Sequence, residues 1–146
     1  SNIPVEKLIE AAGGAPLTAL SYLESDALER RDAWLLNLIR VSTGQISAIE
    51  VAAQWQKDDV IALVEWFLVW LHSLMRWQLG VEQVLMNQLP QDLRDRLAKV
   101  PAALLHRYLE KMLVSKRQLL GVSNPNKQLL LEEMLMDWGA LLRSAK

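Results

Sequence analysis

Glu65, His72 and Arg76 put a carboxylate, an imidazole and a guanidinium along one line of a helix, with Asp58 seven residues before Glu65. An acid, a base and a cation gathered in a pocket could move protons in a hydrolysis. Here they form the polar line of a helix that is otherwise apolar, and such lines are more often structural than catalytic. His72 is expected at the rim of the core, bonded to Glu65 or Arg76, and His106, beside Arg107, in water. The two histidines fall on different helices and in no HxxxH or HExxH spacing, so no metal ligand set is expected. Asp58–Asp59 and Glu132–Glu133 are paired carboxylates, but neighbours on a helix diverge by about 100°, too far to share a proton or a metal. The first pair suits the positive end of a helix dipole, and the second a solvated face. Gly13-Gly14 ahead of Pro16 could cradle a phosphate, yet no GxxxxGK[ST] follows, and no GxSxG nucleophile turn exists.

Six tryptophans could build a base-stacking platform, but they are not interleaved with Lys or Arg. Trp34, Trp55, Trp66, Trp70, Trp77 and Trp138 are expected in core positions. The nearest approach to a basic site is Lys116-Arg117. Sixteen basic against seventeen acidic residues leave a net charge of -1, which excludes phosphate binding as the main theme. There is no cysteine, so disulfides, thiolate nucleophiles and Cys-ligated zinc are excluded, and a reducing compartment is compatible. With 146 residues, 51% of them hydrophobic and 23% charged, the chain can bury a core without staples and is not disordered.

The elements that must position these residues are all helical. No segment alternates apolar and polar residues as a strand would. Pro4, Pro16, Pro90, Pro101 and Pro125 each precede an apolar run at helical spacing, and Gly44, Gly80 and Gly121 fall just after such runs, where left-handed caps belong. The pattern predicts helices over 4–12, 16–23, 26–42, 47–56, 58–78, 81–88, 91–99, 102–120 and 126–143, with Ser25 and Ser47 as N-caps and Glu50 closing a capping box. Short loops favour a compact antiparallel bundle. The run Val60–Leu71 is about a dozen residues, short of the ~20 that a membrane span needs, so 58–78 is expected to be the central core helix. On 102–120 the core face is Leu104, Leu105, Tyr108, Leu109, Met112, Leu113, Leu119 and Leu120, interrupted by Ser115 and Lys116. On 126–143 a core stripe at Leu130, Leu131, Met134, Leu135, Trp138, Leu141 and Leu142 is widened by Leu129 and Met136. More apolar arc than one core uses implies a second partner. SNIPVEK is no signal peptide, and Ser1-Asn2 reads as an expression scar, so the chain is expected to begin in mid-protein.

Two segments resemble the AAA+ clamp-loader subunits of bacterial DNA polymerase III. Ala11-Ala12-Gly13-Gly14-Ala15-Pro16-Leu17-Thr18-Ala19-Leu20-Ser21-Tyr22-Leu23 is similar to the end of their lid domain, where G-S-x-R-x-A-L carries the sensor 2 arginine. Lys116-Arg117-Gln118-Leu119-Leu120, the loop through Asn124-Pro125-Asn126, and Leu129-Leu130-Leu131-Glu132-Glu133-Met134-Leu135 are similar to their closing helices, R-x-x-L, N-x-N/R and L-L-x-x-x-L-L. The two elements bracket nearly the whole chain. Leu17 occupies the arginine position and cannot grip a γ-phosphate, which points to the member of the family that does not hydrolyse ATP productively.

The resemblance implies a tail of the lid domain at 1–24 and a helical collar domain at 25–146. It implies a non-catalytic part, without cofactor or metal, of a DNA-directed DNA polymerase holoenzyme (a nucleotidyltransferase). The collar would hold a pentameric loader together in the bacterial cytoplasm, with the delta and gamma/tau subunits as neighbours. The sliding clamp and primed DNA would be reached only through the whole complex, and no membrane would be involved. Interface contacts would run through Lys116, Arg117, Leu129, Leu130, Met134, Met136 and Leu141. Without the resemblance, the residues alone also allow a generic helical adaptor that homodimerises through its last helix, and more remotely a helical hydrolase built on Glu65, His72 and Arg76.

Overall fold

The computed structural model describes residues 16–121 and 126–145, with side chains from residue 20 onward. Among these residues there are seven helices and no strand: α1 (Pro16–Ser42), α2 (Ala48–Trp55), α3 (Val60–Gln78), α4 (Val84–Asn87), α5 (Gln91–Ala98), α6 (Ala102–Leu120) and α7 (Lys127–Arg143). The expected helix at 4–12, Pro4, Pro125 and the Gly13-Gly14 turn lie outside the described residues, as does the side chain of Leu17.

The largest departure from expectation is α1. A break near residue 24 with Ser25 as a cap is absent; the helix runs unbroken for 27 residues. Between Pro16 and Gly44 there is no proline or glycine to stop it, and just past the expected break Asp26 pairs with Arg30 four residues on. By compactness the chain divides into two units, Ser1–Asn37 and Leu38–Lys146, so the division falls inside α1. In the first unit, Arg30 lies 5.9 Å from the centre of the Trp34 ring, within cation–π reach.

In the second unit the helix ends follow the local chemistry closely. Ser47 Oγ accepts the Glu50 N–H at 3.1 Å, and Asp59 Oδ1 accepts the Ala62 N–H at 3.1 Å, so one member of the Asp58–Asp59 pair caps α3. Gly44 and Gly80 sit at φ +78° and +92°, the left-handed caps expected of them. Gly121 does not: at φ −78° and ψ 179° the chain leaves α6 extended. A methyl group at Gly44 or Gly80 would meet nothing within 4 Å. Gly80→Ala should therefore cost about 1 kcal/mol through backbone strain alone, read as a lower urea midpoint with an unchanged slope.

Helix α3 is the core helix. Leu63, Val64, Phe67, Trp70, Leu71 and Leu74 are all buried, and α3 packs along α6. By length and composition alone its 19 residues could cross a membrane, but half of the apolar window is buried within the chain, as in a core helix. Its exposed line is Glu65, Val69, His72 and Arg76, so the polar stripe read from the sequence is the solvent face with Val69 added. α2 packs on α7, and α7 on α6. At their meeting point Phe67, Trp70, Tyr108 and Trp138 form one aromatic cluster, with ring centres 5.2 Å apart for Trp70 and Trp138 and 6.0 Å for Phe67 and Tyr108.

Candidate subunit interface

The inner side of α7 is fixed by three kinds of contact. Leu131, Met134, Leu135, Trp138, Leu141 and Leu142 are buried. Tyr108 Oη donates to the Met134 carbonyl at 2.7 Å, and Trp138 Nε1 donates to Ser42 Oγ at 2.8 Å. Lys111 Nζ sits between Asp137 Oδ2 at 2.6 Å and Glu133 Oε1 at 2.8 Å, pinning α6 to α7 from outside. At the helix start, Asn126 Oδ1 accepts the Leu129 N–H at 3.0 Å.

The side away from this core is unexpectedly apolar. Leu129 is 62% exposed and Met136 55% exposed. At about 100° per residue they stand almost opposite the core stripe, rather than on its flanks as the sequence pattern suggests. Two turns of α7 thus carry large apolar side chains at the centre of the outer face, with Glu132 and Glu133 between them. Of the other residues expected at an interface, Leu130 is half-buried, and Met134 and Leu141 are buried inside the chain itself, at 2% and 7% exposure. Those two support the helix from behind. Lys116 lies 3.9 Å from Glu65 and is partly buried, whereas Arg117 is exposed.

Burial on α6 stops earlier than the sequence pattern implies. Leu105, Tyr108, Leu109 and Met112 are buried, but Leu113 and Leu120, expected on the core face, are exposed. The signal that could have shown this was the Ser115–Lys116 interruption, which marks where the core ends.

The groups that might have done chemistry are dispersed. His72 is exposed, and His106 Nε2 lies 3.2 Å from Glu110 on its own helix. Among the described residues no three acidic, His or Cys groups converge as a metal site. The crevice lined by Lys111, Ser115, Leu130, Glu133 and Asp137 holds about 10 Å³, room for one water at most.

Two side chains of the α6–α7 contact tie stability to alkaline pH. Burial, with the Asp137 charge adding to it, holds the Tyr108 hydroxyl well above its ordinary 10.0. Hydrogen bonds from Lys111, first to Asp137 and then to Glu133, raise its ammonium above its ordinary 10.5. In both cases the unfolded group loses its proton first, so the native state holds more protons and the stabilisation is present below about pH 10 and lost as pH rises. Lys111 is half exposed, so its share is a fraction of a kcal/mol after screening by water. The urea midpoint should be flat from pH 7 to 9 and fall above 10. Tyr108→Phe should cost about 1 kcal/mol at pH 7 and flatten that fall.

Comparison with known proteins agrees with this architecture. The chain is 28% identical over 142 residues to the DNA polymerase III subunit delta' of Pseudomonas aeruginosa, which covers 94% of this chain and 42% of the relative. It is 30% identical over 147 residues to the subunit of the same name in Yersinia pestis, covering 97% of this chain and 43% of that one. The chain therefore spans about two fifths of the length of these relatives. No solved structure matches it. The family described as "DNA polymerase III, delta subunit, C terminal" matches residues 25–140, which takes in the cluster of Phe67, Trp70, Tyr108 and Trp138 and the outer stripe of α7; the chain belongs to that family.

Proposed function

We propose that the chain is the C-terminal domain of a delta-prime-type clamp-loader subunit, and that it serves DNA replication as a non-catalytic collar that holds neighbouring subunits together. The observation that carries this reading is the pair of exposed apolar residues, Leu129 and Met136, at the centre of a helix face that no part of the described chain covers. The relatives are named as polymerase III subunits, and an apolar face of the chain's last helix is directed outward.

The helix is well prepared for that task. Tyr108, Trp138 and Lys111 hold α7 at three points along its length, so its outer stripe is presented with little freedom left to lose on docking. Contacts on α7 run through Leu129 and Met136, with Leu130 at the edge; Met134 and Leu141 act only from within, and Lys116 and Arg117 stand on α6 as polar contact residues of the same collar surface but not of this helix face. Residues 1–24 are the tail of the lid domain and 25–146 the collar, with α1 running through the boundary. The neighbours are the delta and gamma/tau subunits, in the bacterial cytoplasm. A surface of near-neutral charge reaches clamp and primed DNA only through the assembled loader.

Size-exclusion chromatography with light scattering tests this reading. The chain alone should run as a 16.6 kDa monomer and move into a larger complex when gamma/tau or delta is added. A stable homodimer indifferent to both would overturn it and leave the adaptor reading, because a two-fold dimer buries the same face twice.

A further inference from the structure

The stripe on α7 has a counterpart on α6 with the charge reversed. Leu113 and Leu120 are seven residues apart and 43% and 59% exposed, with Arg117 between them at spacings of four and three. On α7, Leu129 and Met136 are also seven apart, with Glu132 between them at spacings of three and four. Each trio lies on one face of its helix over two turns. The side chains of Arg117 and Glu132 make no hydrogen bond or ion pair among the described residues, whereas Lys116 is engaged by Glu65 and Glu133 by Lys111. An uncommitted cation, Arg117, and an uncommitted anion, Glu132, are thus each set between two exposed apolar residues.

The α6 trio also points away from α7. Tyr108 and Lys111, which meet α7, precede Leu113 by five and two residues, and at about 100° per residue both lie on the opposite side of the helix from it. A single helix docked on α7 would therefore leave the α6 trio uncovered.

We propose that Leu113, Arg117 and Leu120 form a second docking face, separate from α7. Its occupant is an amphipathic helix of a neighbouring subunit that carries a carboxylate between two apolar residues seven apart, the chemistry that α7 itself displays. The inference rests on the collar reading and adds to it a polarity: an acidic-apolar face on α7, a basic-apolar face on α6, and a different neighbour on each. The argument for an acidic helix is charge complementarity. An arginine ringed by leucines is a poor surface to leave in water and a strong anchor when a carboxylate meets it at the centre of an apolar contact. A nucleic acid does not fit, since a single arginine between two leucines gives no run of phosphate contacts.

The test measures affinities of the chain for the gamma/tau and delta subunits separately, at low and moderate salt. Arg117→Glu should weaken one subunit at least tenfold and leave the other unchanged. The Leu113→Ser/Leu120→Ser double variant should lose that same subunit, while Met136→Asp should lose the other. All these side chains are exposed, so an unchanged thermal midpoint serves as the folding control. If Arg117→Glu binds both subunits as the parent chain does, or loses the subunit that Met136→Asp loses, the second face is refuted. If the parent chain binds neither subunit, the collar reading itself fails, and that outcome is visible before any variant is made.

Discussion

Replacing Trp138 by alanine should remove about 4 kcal/mol of unfolding free energy, the cost of deleting a large aromatic from a packed core. Trp138 is 1% exposed and touches Phe67, Trp70 and Tyr108, so its loss opens a cavity where α3, α6 and α7 meet. It also cancels the bond from Nε1 to Ser42 Oγ, the side-chain tie between α7 and the end of α1. Against a typical stability of about 5–15 kcal/mol this is a large fraction, and the thermal midpoint should fall by roughly 10–15 °C. Trp138→Phe keeps most of the packing and loses the hydrogen bond, for about 1–2 kcal/mol. Trp70→Phe should cost less than Trp138→Phe, because Trp70 Nε1 is buried without a hydrogen-bond partner and its removal relieves an unsatisfied donor. Urea unfolding of the three variants gives the order directly. A Trp138→Ala variant within about 1 kcal/mol of the parent would show that the aromatic cluster does not hold the helices together.

Met136→Asp should do the opposite: leave folding alone and abolish docking of the subunit that covers α7. Met136 faces water, so a charge there should shift stability by no more than about 0.5 kcal/mol. In a docked face the same carboxylate would be buried unpaired next to Glu132, and loss of binding should reach roughly a hundredfold or more. Leu129→Asp, one heptad earlier on the same face, should behave alike. The pair of readouts separates a surface that docks from one that only looks apolar: unchanged melting with lost co-elution supports docking, and unchanged co-elution refutes the placement on α7.

Most of the fold was legible because the chain punctuates its helices locally. Ser47, Asp59, Gly44 and Gly80 each act within one turn, and such signals survive any tertiary arrangement. Two of the misses are places where local signals do not decide the outcome. At Ser25 a capping residue signals a boundary, but with no proline or glycine to break it the helix propensity of the surrounding residues carries α1 through. At Leu113 and Leu120 apolar spacing predicted burial, yet burial depends on a partner helix being present, and periodicity does not say how far along α6 the core extends. The candidate interface was partly legible for the same reason. Excess apolar residues on α7 were countable, but which of them faced outward required the packing: Leu129 and Met136 do, Met134 and Leu141 do not.

The central claim is that the outer face of α7 is covered in the assembled loader, and the methionines offer a direct reading of it. Of the five, Met86, Met112 and Met134 are buried, Met75 is half-buried, and Met136 is the exposed one. Dilute peroxide oxidises accessible thioethers first, so mass spectrometry of the free chain should find Met136 modified ahead of the rest. In complex with the gamma/tau and delta subunits, its oxidation should slow about tenfold or more while Met75 keeps its rate. A complex that forms with Met136 still oxidised as fast as in the free chain would contradict the account.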